Sequence, residues 1–212
     1  WNAMFAAGLS RASRHLSEPG WSVLAARTLD FLRRAAWRDG VLYASWKDGE
    51  ARFPAYLDDY AWLLDALAEQ LATEFDPALL DFARELAPAL LGRFEDPAHG
   101  GFWFTATGHE ALIGRQKPVH DDSIPSGNGV AVRALLRLGH LLGETRWTDA
   151  AERALRGFMP ALAQSPQGSA GLLLSLVEWL EPPAQVVVRV DAASRAPWQA
   201  TVDALRRAGH RI

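Results

Sequence analysis

Three short segments could share a binding site, because a repeat in the sequence places them at equivalent points. These segments are Trp1-Asn2, Asp59-Tyr60 and Gly127-Asn128. Amide and carboxylate groups hydrogen-bond to hydroxyl-rich ligands, and aromatic faces stack on sugar rings. The sequence therefore predicts that Asn2, Asp59 and Asn128 line one mouth that takes a sugar-like small molecule, with the flanking Trp1 and Tyr60 contributing aromatic surface.

Adjacent carboxylates at Asp58 and Asp59 are candidates for acid/base chemistry at this mouth. Neighbouring residues on a helix point about 100 degrees apart, so we expect only one of the two to face a cavity. Aspartate also favours helix starts, where its oxygens accept bonds from free backbone N–H groups. Capping and ligand binding are both open interpretations, and they can coexist.

The loop before Asn128 is dense in ionisable side chains. They are His109, Arg115, Lys117, His120, Asp121 and Asp122. A histidine beside a carboxylate can titrate near neutral pH, so His120 next to Asp121 is a candidate proton-transfer group. The alternative is a solvated loop. Ser126 serves a helix start or a ligand equally, and Trp103 is a candidate for stacking on a sugar.

Several classes of function are disfavoured by composition and motifs. The chain has no cysteine and no His-Glu-x-x-His spacing, so we expect no metal. It lacks the glycine-rich nucleotide motifs, and we expect no cofactor. A net charge of -3 with scattered basic residues argues against nucleic acid. No apolar run is long enough to span a membrane and no signal segment opens the chain, which predicts a soluble, cytoplasmic protein.

The repeat also predicts the elements that position these residues. Trp21, Leu79 and Trp147 align with steps of 58 and 68 residues. Each unit has two segments with apolar residues three and four apart, typical of helices. The predicted pairs are 2–16 with 21–36, 58–72 with 77–93, and 126–142 with 146–163, followed by a seventh helix at 169–180. This is an all-α fold of helical hairpins, either an open solenoid or part of an (α/α)6 toroid.

Two loops and the C-terminal segment depart from the helical pattern. Residues 39–46 and 100–105 alternate apolar and polar residues after a glycine, which predicts short strands or β-hairpins. After Pro182-Pro183, the run Val186–Val190 predicts a strand and 198–209 a helix. We therefore expect a partial toroid over 1–181 and the start of a small α/β segment over 182–212. The chain opens on Trp1 within an apolar helical pattern, which predicts a fragment.

Several of these segments together resemble the C-terminal helical region of the YyaL / spermatogenesis-associated protein 20 family of thioredoxin-domain-containing proteins. The matching residues are Trp1-Asn2, Leu57-Asp58-Asp59-Tyr60-Ala61, Gly100-Gly101-Phe102-Trp103-Phe104-Thr105, His109, Arg115-Gln116-Lys117, Asp121 and Pro125-Ser126-Gly127-Asn128. The sequence departs from the family pattern at Ala3, Asp122 and Gly129. The resemblance implies a six-hairpin toroid similar to N-acylglucosamine 2-epimerases, preceded by a thioredoxin-like domain and about two further hairpins.

Two functional hypotheses follow. In the first, the toroid binds a carbohydrate and supports epimerase- or isomerase-like chemistry, with Asp59 and His120 as acid/base groups. Such reactions need acid/base groups because a proton is removed beside a carbonyl. Substrate binding would fall to Asn2, Asp58, Asn128 and the loop residues. In the second, the domain is a noncatalytic protein-binding scaffold that serves the upstream thioredoxin-like domain. A ring that lacks hairpins exposes apolar helix faces, so we also expect the isolated fragment to self-associate.

Overall fold

The computed structural model describes residues 1–109, 114–191 and 195–207. The described helices are α1 (Asn2–Leu16), α2 (Pro19–Ala35), α3 (Leu57–Leu71), α4 (Pro77–Phe94), α5 (Gly127–Leu142), α6 (Thr145–Gln164), α7 (Ala170–Leu180) and α8 (Arg195–Arg207). The described strands are β1 (Trp37–Arg38), β2 (Val41–Lys47) and β3 (Glu50–Pro54). The predicted all-α fold is confirmed, and the first seven helices agree with the sequence prediction to within three residues at each end.

The helices form three hairpins arranged in two layers. Helices α1, α3 and α5 form an inner layer, in which α3 packs against both α1 and α5, and α7 continues this layer beside α5. Helices α2, α4 and α6 each pack against the inner helix that precedes them. Local signals set the ends of these helices. Asp76 caps α4 by accepting a hydrogen bond from the Ala78 N–H at 2.8 Å, and Gly143 ends α5 with a φ of 70°.

A three-stranded antiparallel sheet fills the loop between α2 and α3. The strand order is β1-β2-β3, with Trp46 opposite Ala51 in the hairpin. Tyr60 of α3 holds this sheet to the core, because its hydroxyl accepts a hydrogen bond from the Leu42 N–H at 2.8 Å. The predicted hairpin at 39–46 is therefore confirmed, although it extends to Pro54.

The short strand or hairpin predicted at 100–105 is reduced to a single β-bridge. Phe102 forms an isolated bridge with Glu95, and the segment packs onto α6 as an irregular loop. Gly100 and Gly101 make this packing possible. Both have positive φ, and a Cβ on Gly101 would lie 2.3 Å from the Phe158 ring. The glycine pair thus serves close approach to a helix rather than the start of a strand.

The C-terminal segment also differs from the prediction. Val186–Val190 does not form a strand among the described residues, although half-buried and exposed positions alternate from Val187 to Val190. A β-branched run needs a neighbouring strand to complete its backbone hydrogen bonds. Helix α8 begins at Arg195, and residues 208 and 209 of the helix predicted here lie outside the described residues.

Buried ion pairs that were not predicted from the sequence join the inner helices. Glu69 of α3 pairs with Arg11 and Arg14 of α1, and with Arg137 of α5 at 2.6 Å. Arg137 also pairs with Glu178 of α7 at 2.5 Å. Asp65, which is fully buried, receives two hydrogen bonds from Arg133 at 2.9 and 3.1 Å. We call Arg11, Glu69, Arg137 and Glu178 the charge ladder, because their signs alternate from helix to helix.

Candidate functional site

The inner helices begin at the same end of the fold, where the sequence analysis placed the ligand mouth. Helices α1 and α3 run side by side in the same direction, because Ser10 bonds to Gln70 and Arg14 to Thr73, so the start of α1 lies at the same end as the start of α3. Asp58 lies against Gly127, so the start of α3 adjoins that of α5. Helix N-termini carry partial positive charge, which favours electron-rich ligand atoms at this end.

Asp58 is the chemically most unusual group at this end. Its Oδ1 atom is buried and has no hydrogen-bond partner among the described residues. A Cβ at Gly127 would lie 2.0 Å from this oxygen, so only glycine leaves room for the carboxyl group. Burial raises the pKa of Asp58 and the charge of Asp59 raises it further, while the nearby Gly127 backbone N–H, which forms no hydrogen bond of ordinary geometry with Oδ1, acts in the opposite direction.

Asp59, the catalytic residue predicted from the sequence, takes part in capping α3. Its Oδ2 atom accepts a hydrogen bond from the Tyr56 N–H at 3.0 Å. Burial raises the pKa of Asp59, and this bond opposes the rise. Two adjacent carboxyl groups whose pKa values are both raised hold a proton at higher pH than isolated carboxyl groups do, which suits them to acid/base chemistry.

Aromatic side chains surround the start of α3. Tyr56 stacks on Phe104 with ring centroids 4.9 Å apart, and His109 meets the Tyr56 ring edge-on at 5.2 Å. Trp1 and Asn2 are exposed at the start of α1. Tyr56 was not predicted from the sequence, although its position directly before the Leu57-Asp58-Asp59 segment indicates that it adjoins the site.

The predicted substrate residues Trp103, Arg115 and Lys117 form a cluster of their own. The Arg115 guanidinium lies 5.1 Å and the Lys117 ammonium 4.4 Å from the Trp103 ring centroid. Lys117 also donates to Asp96 at 2.5 Å and to the Gly100 carbonyl at 2.8 Å. The Lys117 bond holds the pKa of Asp96 well below its usual range. The protein's own cations therefore already occupy a face of the Trp103 ring.

His120 and Asp121 lie where α7 begins. His120 is exposed, and its Nδ1 atom is 3.1 Å from the Ser169 hydroxyl. No hydrogen bond or ion pair connects it to Asp59 in the described part of the chain. Asp121 accepts hydrogen bonds from the Ser126 N–H at 2.9 Å and the Gly171 N–H at 2.7 Å. Asp121 therefore joins the start of α5 to that of α7.

Three residues predicted to bind substrate have structural roles instead. Asn128 is fully buried, and its amide group bonds to the backbone of Phe102 and Pro118, which leaves no group free for a ligand. Tyr60 is buried between Trp37 and Phe94. The hydroxyl of Ser126 caps α5 by accepting from the Gly129 N–H at 3.2 Å. These corrections follow from burial that a linear pattern does not reveal.

Two further observations concern metals and membranes. No group of three or more His, Asp or Glu side chains within the described ranges is arranged to hold a metal ion. None of the helices described is both long and apolar enough to cross a membrane.

Comparison with known proteins supports the resemblance predicted from the motifs. No family model matches the chain. The chain is 25% identical to mouse spermatogenesis-associated protein 20 over 145 residues, which is 66% of this chain and 18% of the mouse protein. The predicted resemblance to this family is confirmed, and the chain spans less than one fifth of that relative.

Solved structures with a similar fold are toroidal enzymes. Cellobiose 2-epimerase from Spirochaeta thermophila superposes with a TM-score of 0.63 at 20% identity, over 85% of this chain and 53% of the enzyme. An α-mannanase from Bacteroides thetaiotaomicron superposes with a TM-score of 0.63 at 14% identity, over 84% of this chain and 49% of the enzyme. The helical hairpins therefore correspond to part of an (α/α)6 toroid, and the chain spans about half the length of each enzyme.

Proposed function

We propose that the N-terminal end of the inner helices binds a sugar-like ligand and that Asp58 and Asp59 exchange a proton with it. The observation that carries this proposal is the buried Asp58 Oδ1 without a hydrogen-bond partner among the described residues. A buried oxygen of this kind costs free energy unless a ligand hydroxyl or a proton satisfies it. Functional sites retain such costs more often than structural positions do.

The surrounding groups match a hydroxyl-rich ligand. In its protonated form Asp58 can donate a hydrogen bond, and in its ionised form Asp59 can accept one and remove a proton. The exposed Trp1 and the half-exposed Tyr56 supply aromatic surface for a sugar ring. His120, exposed at the start of α7, remains available as a second proton carrier for epimerase- or isomerase-like chemistry.

The fold supports the proposed class of substrate. The two toroidal enzymes described above are named for cellobiose and for a mannan, which are carbohydrates. Fold likeness does not establish chemistry by itself, so the proposal rests on the carboxyl pair. A domain that binds sugars and transfers protons is the function that this end of the fold supports best.

A ligand titration of the full-length protein tests the proposal. Tryptophan fluorescence is followed as amino sugars and disaccharides are added to wild type, Asp58→Asn and Asp59→Asn. Asparagine at position 59 keeps an oxygen that can accept from Tyr56, so the helix cap is retained. We expect saturable binding that Asp58→Asn weakens, and any epimerase turnover to be lost in both variants. Asp81→Asn, at an exposed position, is the matched control. Binding equal in all four proteins would contradict the proposal.

A protein-binding scaffold is the second candidate. The observation that favours it is an exposed aromatic pair beside the β2–β3 hairpin, where the rings of Phe31 and Trp46 meet edge-on at 5.3 Å. Exposed aromatic residues are typical of protein contacts. This candidate requires a partner such as the thioredoxin-like domain that the family resemblance implies. Loss of binding between the two domains in Trp46→Ser, with sugar binding absent in wild type, would favour it.

A further inference from the structure

The first hairpin exposes a surface that the other two hairpins bury. Phe5 of α1 is 59% exposed, whereas the residues at the same repeat position, Leu63 of α3 and Ala131 of α5, are 2% and 0% exposed. Gly8 is likewise exposed, whereas its counterparts Ala66 and Ala134 are fully buried. In α3 this face meets a preceding inner helix, since Gln70 bonds to Ser10 of α1. The exposed face of α1 therefore has the composition of an interface between inner helices.

A groove runs along this face. It has a volume of about 440 Å³ and is lined by Met4, Phe5, Gly8, Leu9, Ala12 and Trp21. Trp21 is also exposed, whereas its counterparts at the same repeat position, Leu79 and Trp147, are buried. A strip of aliphatic and aromatic residues with a glycine at its centre fits the side chains of a helix packed along α1.

The charge ladder specifies the chemistry of the helix that fits there. Arg11, Glu69 and Arg137 occupy one repeat position, separated by the same 58 and 68 residues as the other equivalent residues. Glu69 pairs with an arginine on each side, and Arg137 pairs with a carboxylate on each side. Among the described residues Arg11 pairs with Glu69 alone, and its side chain is 46% exposed. On the side that faces away from α3, Arg11 therefore pairs with no carboxylate of the described residues, whereas Arg137 pairs with one on each side.

We infer that the groove on α1 binds an amphipathic helix of the α3 type, which has small and aliphatic residues on one face and a carboxylate that pairs with Arg11. Helix α3 already fills the equivalent place against α5, where Glu69 meets Arg137. A second copy of the chain docked through the same face would bring two Arg11 side chains into one interface, and their like charges repel. This interface is separate from the proposed ligand mouth, and its test does not depend on sugar binding.

The probe is a synthetic α3 peptide with the sequence of residues 57–71, blocked at both ends and labelled with fluorescein. Its fluorescence anisotropy is measured as the full chain is added. Gly8→Leu fills the groove without disturbing the fold, because a Cβ at Gly8 meets nothing within 4 Å. Gly92→Leu is the matched control, since a Cβ at this helical glycine also meets nothing within 4 Å. We expect saturable binding that Gly8→Leu weakens by about tenfold or more and that Gly92→Leu leaves unchanged.

A double-mutant cycle tests the charge pair. Glutamine at the peptide's Glu69 position should weaken binding to wild type by about three- to fivefold. The same peptide should bind Arg11→Gln as well as the unmodified peptide does, because the partner of the carboxylate is then absent. Equal binding by Gly8→Leu and wild type, or no binding at all, would overturn the inference. So would a dimer of the chain alone that Gly8→Leu dissociates in sedimentation experiments, because a second copy would then occupy the groove.

Discussion

The side chain of Asn128 pairs with the backbone of Phe102 as a neighbouring strand would. Its Oδ1 atom accepts from the Phe102 N–H at 2.8 Å, and its Nδ2 atom donates to the Phe102 carbonyl at 2.9 Å. A third bond, to the Pro118 carbonyl at 2.9 Å, ties the second end of the long loop to the same amide. One buried residue at the start of α5 therefore holds both arms of the loop before it.

Removal of this amide should destabilise the fold. In Asn128→Ala three backbone groups lose their partner, two of them at buried Phe102, and we expect a loss of about 2–4 kcal/mol in the free energy of unfolding. Urea denaturation measures it. Asn2→Ala, at an exposed position of α1, is the control and should change stability by less than about 0.5 kcal/mol. Similar losses in both variants would refute the structural role of Asn128.

Replacement of the Asp58 carboxyl should stabilise the protein at neutral pH. The folded-state pKa of Asp58 is raised above 3.8, so the folded state holds its proton more tightly than the unfolded state does. Stability therefore falls as pH rises from 3.8 through the raised pKa, and an amide cannot ionise. We expect Asp58→Asn to raise Tm near neutral pH, with a gain that disappears below the ordinary pKa. Thermal unfolding across pH measures the gain, with Asp81→Asn as control. A gain independent of pH would rule out this cause.

Loss of the Glu69 carboxylate should be costly, because three arginines converge on it. Burial raises the pKa of Glu69, but the charges of Arg137, Arg14 and Arg11 outweigh burial and hold the pKa far below 4.5. Glu69→Gln leaves the three arginine charges without this carboxylate, and we expect the free energy of unfolding to fall by about 3–5 kcal/mol.

The pH dependence checks this prediction. A carboxylate with a lowered pKa stabilises the fold above its ordinary pKa, and this contribution is lost as pH falls below 4.5. The difference in the free energy of unfolding between wild type and Glu69→Gln, measured by urea denaturation, should therefore become smaller in acid. Glu95→Gln removes the partner of the part-exposed Arg153 and should cost less than about 1 kcal/mol. Equal costs for the two substitutions would show that the ladder does not stabilise the inner layer.

A methyl group at Gly101 should separate the loop from α6. Gly101 has a φ of 79°, and a Cβ there would lie 2.3 Å from the Phe158 ring. Gly108 has a φ of 94° but open space around it, so Gly108→Ala measures backbone strain alone. We expect Gly108→Ala to lower the free energy of unfolding by about 1–2 kcal/mol in urea denaturation, and Gly101→Ala to lower it by about 1–3 kcal/mol more. Phe158→Leu should recover part of that difference in the double variant. No such recovery would show that the ring is not the obstacle.

The helices, their pairing and the fold class all follow from local sequence signals and the repeat. Helix boundaries follow from signals within a few residues of each end, such as Asp76-Pro77 before α4 and Gly143 after α5. The repeat of apolar positions then requires each hairpin to bury its face against another, which specifies stacked hairpins. The repeat also predicts that α1, α3 and α5 begin at the same end of the fold.

The tertiary structure decided which polar side chains remain free to act. Asn128 and Asp58 stand at similar points in the linear pattern, yet one forms three hydrogen bonds with the backbone and the other has a buried oxygen without a partner among the described residues. The charge ladder likewise depends on the alignment of neighbouring helices, although Glu69 and Arg137 are 68 residues apart in sequence. Hydrogen bonds and ion pairs depend on distances of a few ångströms between distant segments, which only the packed helices determine.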